Sequence, residues 1–464
     1  MSTLDAEFVP TAAPAPASAW GLRIEEGRAL LRLALPIALI ALVNMGMSVT
    51  DTVMVSALFG ADALAAVAVG SDLYSILFYL CAGTLGGLAP FYAAAVARAD
   101  MAERARLERI GWVLVALLAA GTMPLVWFAP VWLEWFGLDA ALLAQGEGYT
   151  RTMALMLVPM LGVALYRTLL TAAEQPRVFL KVTLAMLPLN AGANYVLMLG
   201  FGPIPAFGPT GAGLSSLLVA LASFIALVVV ARRAAPDAAR QASFRQASFD
   251  MHGLLAVLRV GLPIGVITAT ETGIFLGATL VAATLGAAEV AAHTLTLRMA
   301  GIVYAGSAAL LQASMVRIAR ADALGDPRAG RAVFASSLAV AFVLGLAVCL
   351  LLALGAAPLA QAFFDASAVG LAAAQTAAGL LVLLGLIQVA GYVGLTASGL
   401  LRGRKDTRAP MLYMLIGYWV VGAPLGLYLC AARDLGVTGL WIGLAAGAAI
   451  TTILTLARLL RRRR

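Results

Sequence analysis

Glu271 sits near the middle of a largely apolar stretch from Val260 to Leu285. A stretch of that length crosses a bilayer as a helix, which needs about 20 apolar residues. A carboxylate at that depth costs roughly 2.5–3.5 kcal/mol on insertion scales, so it faces a bundle interior or a wet cavity and marks a functional site. Two roles are open to it. It can bind a proton or a cation in exchange for another ligand, or it can stay neutral and hydrogen-bonded in the core. Little else in the chain offers chemistry. There are 2 histidines, and the 3 cysteines (Cys81, Cys349, Cys430) lie inside apolar runs without metal-ligand spacing. No phosphate-binding glycine loop is present, so ATP is not the expected energy source. Without clustered histidines and acids, no enzyme activity, cofactor or bound metal is expected.

The elements that must carry Glu271 are membrane helices. Of 464 residues, 62% are hydrophobic and 12% charged, against about 25% charged in soluble domains. The long apolar runs repeat too regularly for a transmembrane β-barrel, which alternates in ten-residue segments. The fold class is an all-α polytopic membrane protein with twelve transmembrane helices in two pseudo-symmetric six-helix lobes. Residues 1–30 read as a disordered cytoplasmic tail, rich in Ala and Pro and without the features of a cleaved signal peptide. The N-terminal lobe covers 31–232, a cytoplasmic linker 233–254, the C-terminal lobe 255–460 and a basic tail 461–464. The linker holds a tandem repeat, Arg240-Gln-Ala-Ser-Phe and Arg245-Gln-Ala-Ser-Phe.

With the N-terminus placed in the cytoplasm, all but Arg151, Arg298 and Arg433 of the 31 Lys and Arg fall on cytoplasmic segments and their flanks. This positive-inside bias puts both termini in the cytoplasm of a cell inner membrane protein. The net charge of +8 is therefore topology and attraction to anionic lipid, with no nucleic-acid partner.

The halves repeat. Leu35-Pro36-Ile37 answers to Leu262-Pro263-Ile264, and Gly60 with Leu64-Ala65-Ala66 answers to Gly286 with Val290-Ala291-Ala292. Two lobes in one orientation suit a transporter that rocks one against the other. Pro36 and Pro263 are either matched hinges or static kinks. The repeat aligns Glu271 with Asn44, and Arg298 with Asp72.

The chain resembles the multidrug and toxic compound extrusion (MATE) transporters, in their NorM-like bacterial branch. The resemblance runs from Leu31 to about Leu456. It rests on Val49-Thr50-Asp51-Thr52-Val53-Met54, Asn190-xxx-Asn194-Tyr195, Gly261-Leu262-Pro263-Ile264 with Glu271 and Phe275, Ala291-Ala292-His293, Ser398-Gly399-Leu400-Leu401-Arg402-Gly403, and Tyr418-Trp419. It implies an antiporter that exports amphipathic, often cationic drugs or toxic compounds against inward H⁺ or Na⁺ by alternating access. The expected partners are drug-like small molecules, H⁺ or Na⁺ and the lipid bilayer, with a monomer as the working unit. Under it, Glu271 and Asp51 are the cation or proton coupling residues, and Asn190 and Asn194 complete a polar cluster in the N-terminal lobe. Relatives carry an acid where this chain has Gly391. That loss disfavours Na⁺, which needs several oxygens, and favours H⁺, with Na⁺ at Glu271 kept as the alternative.

Arg298 and Asp72, at pseudo-symmetric positions, form a candidate gate pair across the lobes. Arg298 could instead pair with Glu271 or meet an anionic substrate. Asn44, Phe275, Tyr304, Gln388 and Tyr392 are expected to line the substrate cavity, and Phe275, Tyr304, Tyr392 and Trp419 could stack on planar cations. His293 is either a packed core residue or a titrating switch. The competing functions are a lipid-linked precursor flippase of the same superfamily, which would want a basic cavity, and a membrane channel.

Overall fold

A computed structural model describes residues 19–234 and 250–462. The tail before residue 19, the repeat at Arg240 and Arg245, and Arg463 and Arg464 lie outside the described residues. Among the described residues, twelve helices are long and apolar enough to span a membrane. In the first half these are α1 (Trp20–Gly60), α2 (Asp62–Ala97), α3 (Met101–Trp127), α4 (Ala140–Ala172), α5 (Pro176–Leu199) and α6 (Pro209–Ala231). In the second half they are α7 (Met251–Ala282), α8 (Ala287–Ala323), α9 (Pro327–Phe363), α10 (Ala368–Gly403), α11 (Arg408–Ala432) and α12 (Gly436–Arg461).

The repeat extends to the backbone. Gly60 (φ 84°) separates α1 from α2, and Gly286 (φ 109°) separates α7 from α8. Both φ values are ones that glycine adopts without a Cβ clash. Ala99 (φ 55°) and Gly325 (φ 66°) end α2 and α8 in the left-handed region. The next residues, Asp100 and Asp326, cap α3 and α9 by accepting backbone N–H groups of Glu103 and of Arg328 and Ala329. The helices run on through Pro36 and Pro263, so neither proline opens its helix in this conformation.

Two segment boundaries are corrected. Residues 19–30 are helical, not tail. Tertiary contacts hold them: Ser336 Oγ donates to the Arg23 carbonyl at 2.7 Å, and Arg317 grips Glu26. The linker ends at Asp250, whose carboxylate accepts from Gly253 N–H at 2.9 Å and starts α7 inside the stretch assigned to the linker.

The lobes meet at one end, the end that carries most of the arginines. Gly83 and Gly87 of α2 lie against Gly265 and Gly261 of α7, a small-xxx-small pairing on both helices. Around this seam ion pairs join the two lobes, most of them C-terminal-lobe arginines on N-terminal-lobe acids. Arg317 donates to Glu26 (Nε, 3.1 Å) and to Glu174 (2.8 Å), and Arg320 shares Glu174 at 3.0 Å. Arg106 of α3 reaches Asp250 through Nε at 2.7 Å. At the opposite end a cavity of about 220 Å³ lies between Asp72, Ser75 and Ile76 of α2 and Thr272, Phe275, Leu276 and Thr279 of α7, with Leu297 of α8.

Candidate functional site

In the N-terminal lobe, Asn190 and Asn194 are four residues apart and so share one face of α5. Both are almost fully buried, at 2% and 0% exposure. Both aim their amide nitrogens at Asp51 Oδ1, Asn190 at 3.0 Å and Asn194 at 2.5 Å. Ser216 of α6 donates to the second oxygen at 3.4 Å. The two Asn Oδ1 atoms are buried without a partner among the described residues, so the cluster presents more acceptors than donors. Asp51 is thus held by three neutral donors. The sequence marked all of these but Ser216, one of many serines on an apolar helix.

In the C-terminal lobe, Glu271 is half-buried on α7, and its Oε2 accepts from the Tyr304 hydroxyl of α8 at 3.0 Å. Two further groups lie within electrostatic range of this pair. Tyr418 stands in a π-helical segment, Leu415–Gly422, within α11. Such segments mark departures from regular helix that recur at functional sites. Arg402 lies within electrostatic reach of both Glu271 and Tyr304. Its side chain is buried, at 6% exposure, and its Nε has no partner. Gly399 and Gly403 press α10 against the backbone of α8 at Leu311 and Met315, so Arg402 between them turns into the lobe. The charge-distribution reading placed Arg402 in a cytoplasmic turn. The clue was the Gly-xx-Arg-Gly spacing, which packs the helix end instead of freeing it.

The cation near Glu271 is therefore Arg402, not Arg298. Arg298 is exposed, and it makes no ion pair with Glu271 or with Asp72 among the described residues. Asp72 lines the cavity between the lobes, and Leu297, beside Arg298, lines the other wall. In this conformation Asp72 and Arg298 form no ion pair among the described residues.

Of the expected cavity residues, Phe275 lines the cavity, and Tyr304 and Asn44 are exposed. Gln388 and Tyr392 do not line this cavity in the present conformation. They share one buried face of α10, at 8% and 4% exposure. Tyr392 donates to the Val303 carbonyl at 3.0 Å, where Gly306 leaves room for its hydroxyl. Their i, i+4 spacing points both at the neighbouring helices α8 and α9, so in this conformation they pack in the core. Trp419 is exposed and packs its ring edge near Gly273.

His293 is a packed residue. Trp441 Nε1–H donates to His293 Nδ1 at 3.2 Å, which makes Nδ1 an acceptor. Nε2 then carries the proton and lies 3.1 Å from Thr279 Oγ1, whose own hydrogen goes to the Phe275 carbonyl. The network fixes one neutral tautomer with both nitrogens satisfied. Asp406, after α10, accepts from Arg458 at 3.1 Å and Arg462 at 3.2 Å, and ties that turn to α12.

Two six-helix lobes, one membrane-depth carboxylate in each, and a seam closed at one end define a two-lobed membrane transport protein. The MatE family model matches residues 36–196 and 263–428, one segment in each lobe. The chain is 32% identical to a probable multidrug resistance protein NorM of Mesorhizobium japonicum, over 100% of this chain and 98% of that one. It is 33% identical to the multidrug resistance protein NorM of Burkholderia vietnamiensis, over 91% of each. Crystal structures of the eukaryotic MATE transporter AtDTX14 (TM-score 0.81, 17% identity, 96% of this chain and 99% of that one) and of a mutant of the Vibrio cholerae MATE transporter VcmN (TM-score 0.79, 16% identity, 95% and 98%) share its fold. The chain belongs to the MATE family of multidrug efflux transporters, with NorM proteins among its relatives. Its members are transporters, not enzymes, and this membership takes precedence over the flippase and channel readings.

Proposed function

We propose that this protein is a secondary active antiporter of the inner membrane, exporting amphipathic, often cationic compounds in exchange for H⁺. Both termini face the cytoplasm, so the closed seam is the inner gate and the structure stands outward-facing. Glu271 is the coupling carboxylate of the C-terminal lobe and Asp51 that of the N-terminal lobe. The observation that carries the reading is the Glu271 site. A half-buried carboxylate accepts from one phenol, with a buried guanidinium within electrostatic range, a set that can exchange a proton but offers Na⁺ too few oxygens. A group that binds either a proton or a cationic substrate, with different affinity in two lobe arrangements, links the two flows.

Asp72 and Arg298 are the outer gate in this scheme. Asp72 lines the gap and Arg298 follows Leu297 on its other wall, and the two would pair when the outer ends close and the inner seam opens. Asn44, Phe275 and Tyr304 contribute to the substrate surface, and the monomer is the working unit.

The test uses purified protein in proteoliposomes. An imposed pH gradient is expected to drive dye efflux, a Na⁺ gradient at fixed pH is not, and Glu271→Gln abolishes the pH-driven component. Flux in Glu271→Gln that still follows the pH gradient would overturn the coupling role. For the gate, Asp72→Arg and Arg298→Asp each impair efflux and the double reversal restores it. A double reversal no better than either single one removes the pair.

A further inference from the structure

A surface groove lies away from the lobe seam. It has a volume of about 460 Å³ and runs between α1 and α5. Its chemistry is graded along the membrane normal. At the mouth, toward the arginine-rich end of both helices, stand Arg32 of α1 and Arg177 and Lys181 of α5. Deeper in, the walls are Leu35 and Leu39 of α1 and Leu184 of α5, with Pro36 behind them.

We infer that this groove is a binding site for one anionic phospholipid of the cytoplasmic leaflet. Arg32, Arg177 and Lys181 are exposed, and none makes an ion pair among the described residues. Three cations converge with no carboxylate to neutralise them. A basic pocket between helices on the cytoplasmic side matches a phosphate headgroup. Arg177 and Lys181 are one helical turn apart on the face of α5 that meets Arg32, so the charges form a cradle, not a scattered surface. The leucines are exposed too, Leu35 at 63%, and they follow the i, i+4 row of α1. From Arg32 to Leu39 the helix rises about 10 Å, enough to lead an acyl chain from the headgroup region into the hydrocarbon core. A soluble phosphate would use the mouth and leave the apolar walls without a partner, so the occupant is a lipid. The groove joins α1, which carries Asp51, to α5, which carries Asn190 and Asn194. A bound lipid therefore braces the two helices that build the N-terminal polar cluster.

The experiment is lipid binding to the full-length protein in neutral detergent, read by native mass spectrometry. The probes are phosphatidylglycerol and phosphatidylcholine of the same chains, with inorganic phosphate as competitor. Wild type is expected to retain phosphatidylglycerol in preference to phosphatidylcholine. Each cation removed costs roughly fivefold in that preference, so Arg32→Gln/Arg177→Gln/Lys181→Gln together reduce it by about 100-fold. Leu35→Gln/Leu184→Gln weakens both lipids alike. A control, Arg328→Gln/Arg331→Gln/Arg461→Gln, removes three cations elsewhere on the same face and leaves the preference in place. An equal loss in the control would show diffuse surface attraction and overturn the site. So would full displacement of the lipid by inorganic phosphate, or a preference that survives in the groove variant with unchanged melting behaviour.

Discussion

The lobe seam makes a sharp prediction at Gly83. A methyl group there would sit 2.7 Å from Gly265 Cα, 3.0 Å from its nitrogen and 3.1 Å from the Ile264 carbonyl oxygen. Carbon atoms rest at about 3.5–4.0 Å, so the two helices must part by close to 1 Å. Every atom the methyl meets belongs to the backbone of α7, so no side chain can rotate away. Overpacking of this kind costs about 1–3 kcal/mol. Gly83→Ala bears that cost only while the seam is closed, and the ratio of closed to open protein falls by about 5–150-fold. The assay is a pulsed electron-spin distance measurement in a cysteine-free background. Labels go on Ala102→Cys of α3 and Leu324→Cys after α8, both exposed and on opposite lobes. Gly83→Ala should shift the distribution toward the longer distance. Gly277→Ala on the same α7, where a methyl meets nothing within 4 Å, should leave it unchanged. A Gly83→Ala protein that folds and transports with the wild-type distance distribution would refute the seam as an inner gate.

Other outcomes follow from the same structure. Arg317→Ala frees Glu26 and part of Glu174, and should open the seam in the same distance assay, more in low salt than in high because the network is partly screened. Arg402→Gln leaves Glu271 without its resident cation. Binding of a monovalent cation such as tetraphenylphosphonium should tighten about tenfold, and that gain should vanish in a Glu271→Gln background. Gly253 N–H, and then Arg106, hold the Asp250 carboxyl below the usual range. Its contribution is therefore present at neutral pH and lost as pH falls through that lowered value, so Asp250→Asn should lower the melting temperature at pH 7 and make progressively less difference as the pH is lowered through the acid range. His293→Leu strands Trp441 Nε1–H and Thr279 Oγ1, and should cost about 1–3 kcal/mol of stability with no new pH dependence of transport.

The sequence alone determined the twelve spans, their division into two lobes, and the one carboxylate each lobe must justify. These are properties of single helices: length, apolarity and the cost of a charge in lipid act on each segment by itself. The repeat was legible as far as Gly60 and Gly286, because only glycine meets the backbone demand there without strain. Motif resemblance marked Asp51 with Asn190 and Asn194, and Glu271 with Tyr304 was half visible.

What only the tertiary structure decided is the direction in which side chains point once helices are pressed together. Arg402 counts as one more basic loop residue until Gly399 and Gly403 bring α10 onto α8 and bury its side chain within electrostatic range of Glu271. Gln388 and Tyr392 have cavity-like chemistry, yet the packing of α10 on α8 and α9 buries them. Residues 19–30 have a weak apolar signal, and their helix exists because Arg317 and Ser336 hold its Glu26 and its Arg23 carbonyl. In a chain where nearly every face is apolar, periodicity cannot say which face meets lipid, a neighbour or the gap between lobes. Close glycine contacts and a few ion pairs make that choice, and they form only when distant segments meet.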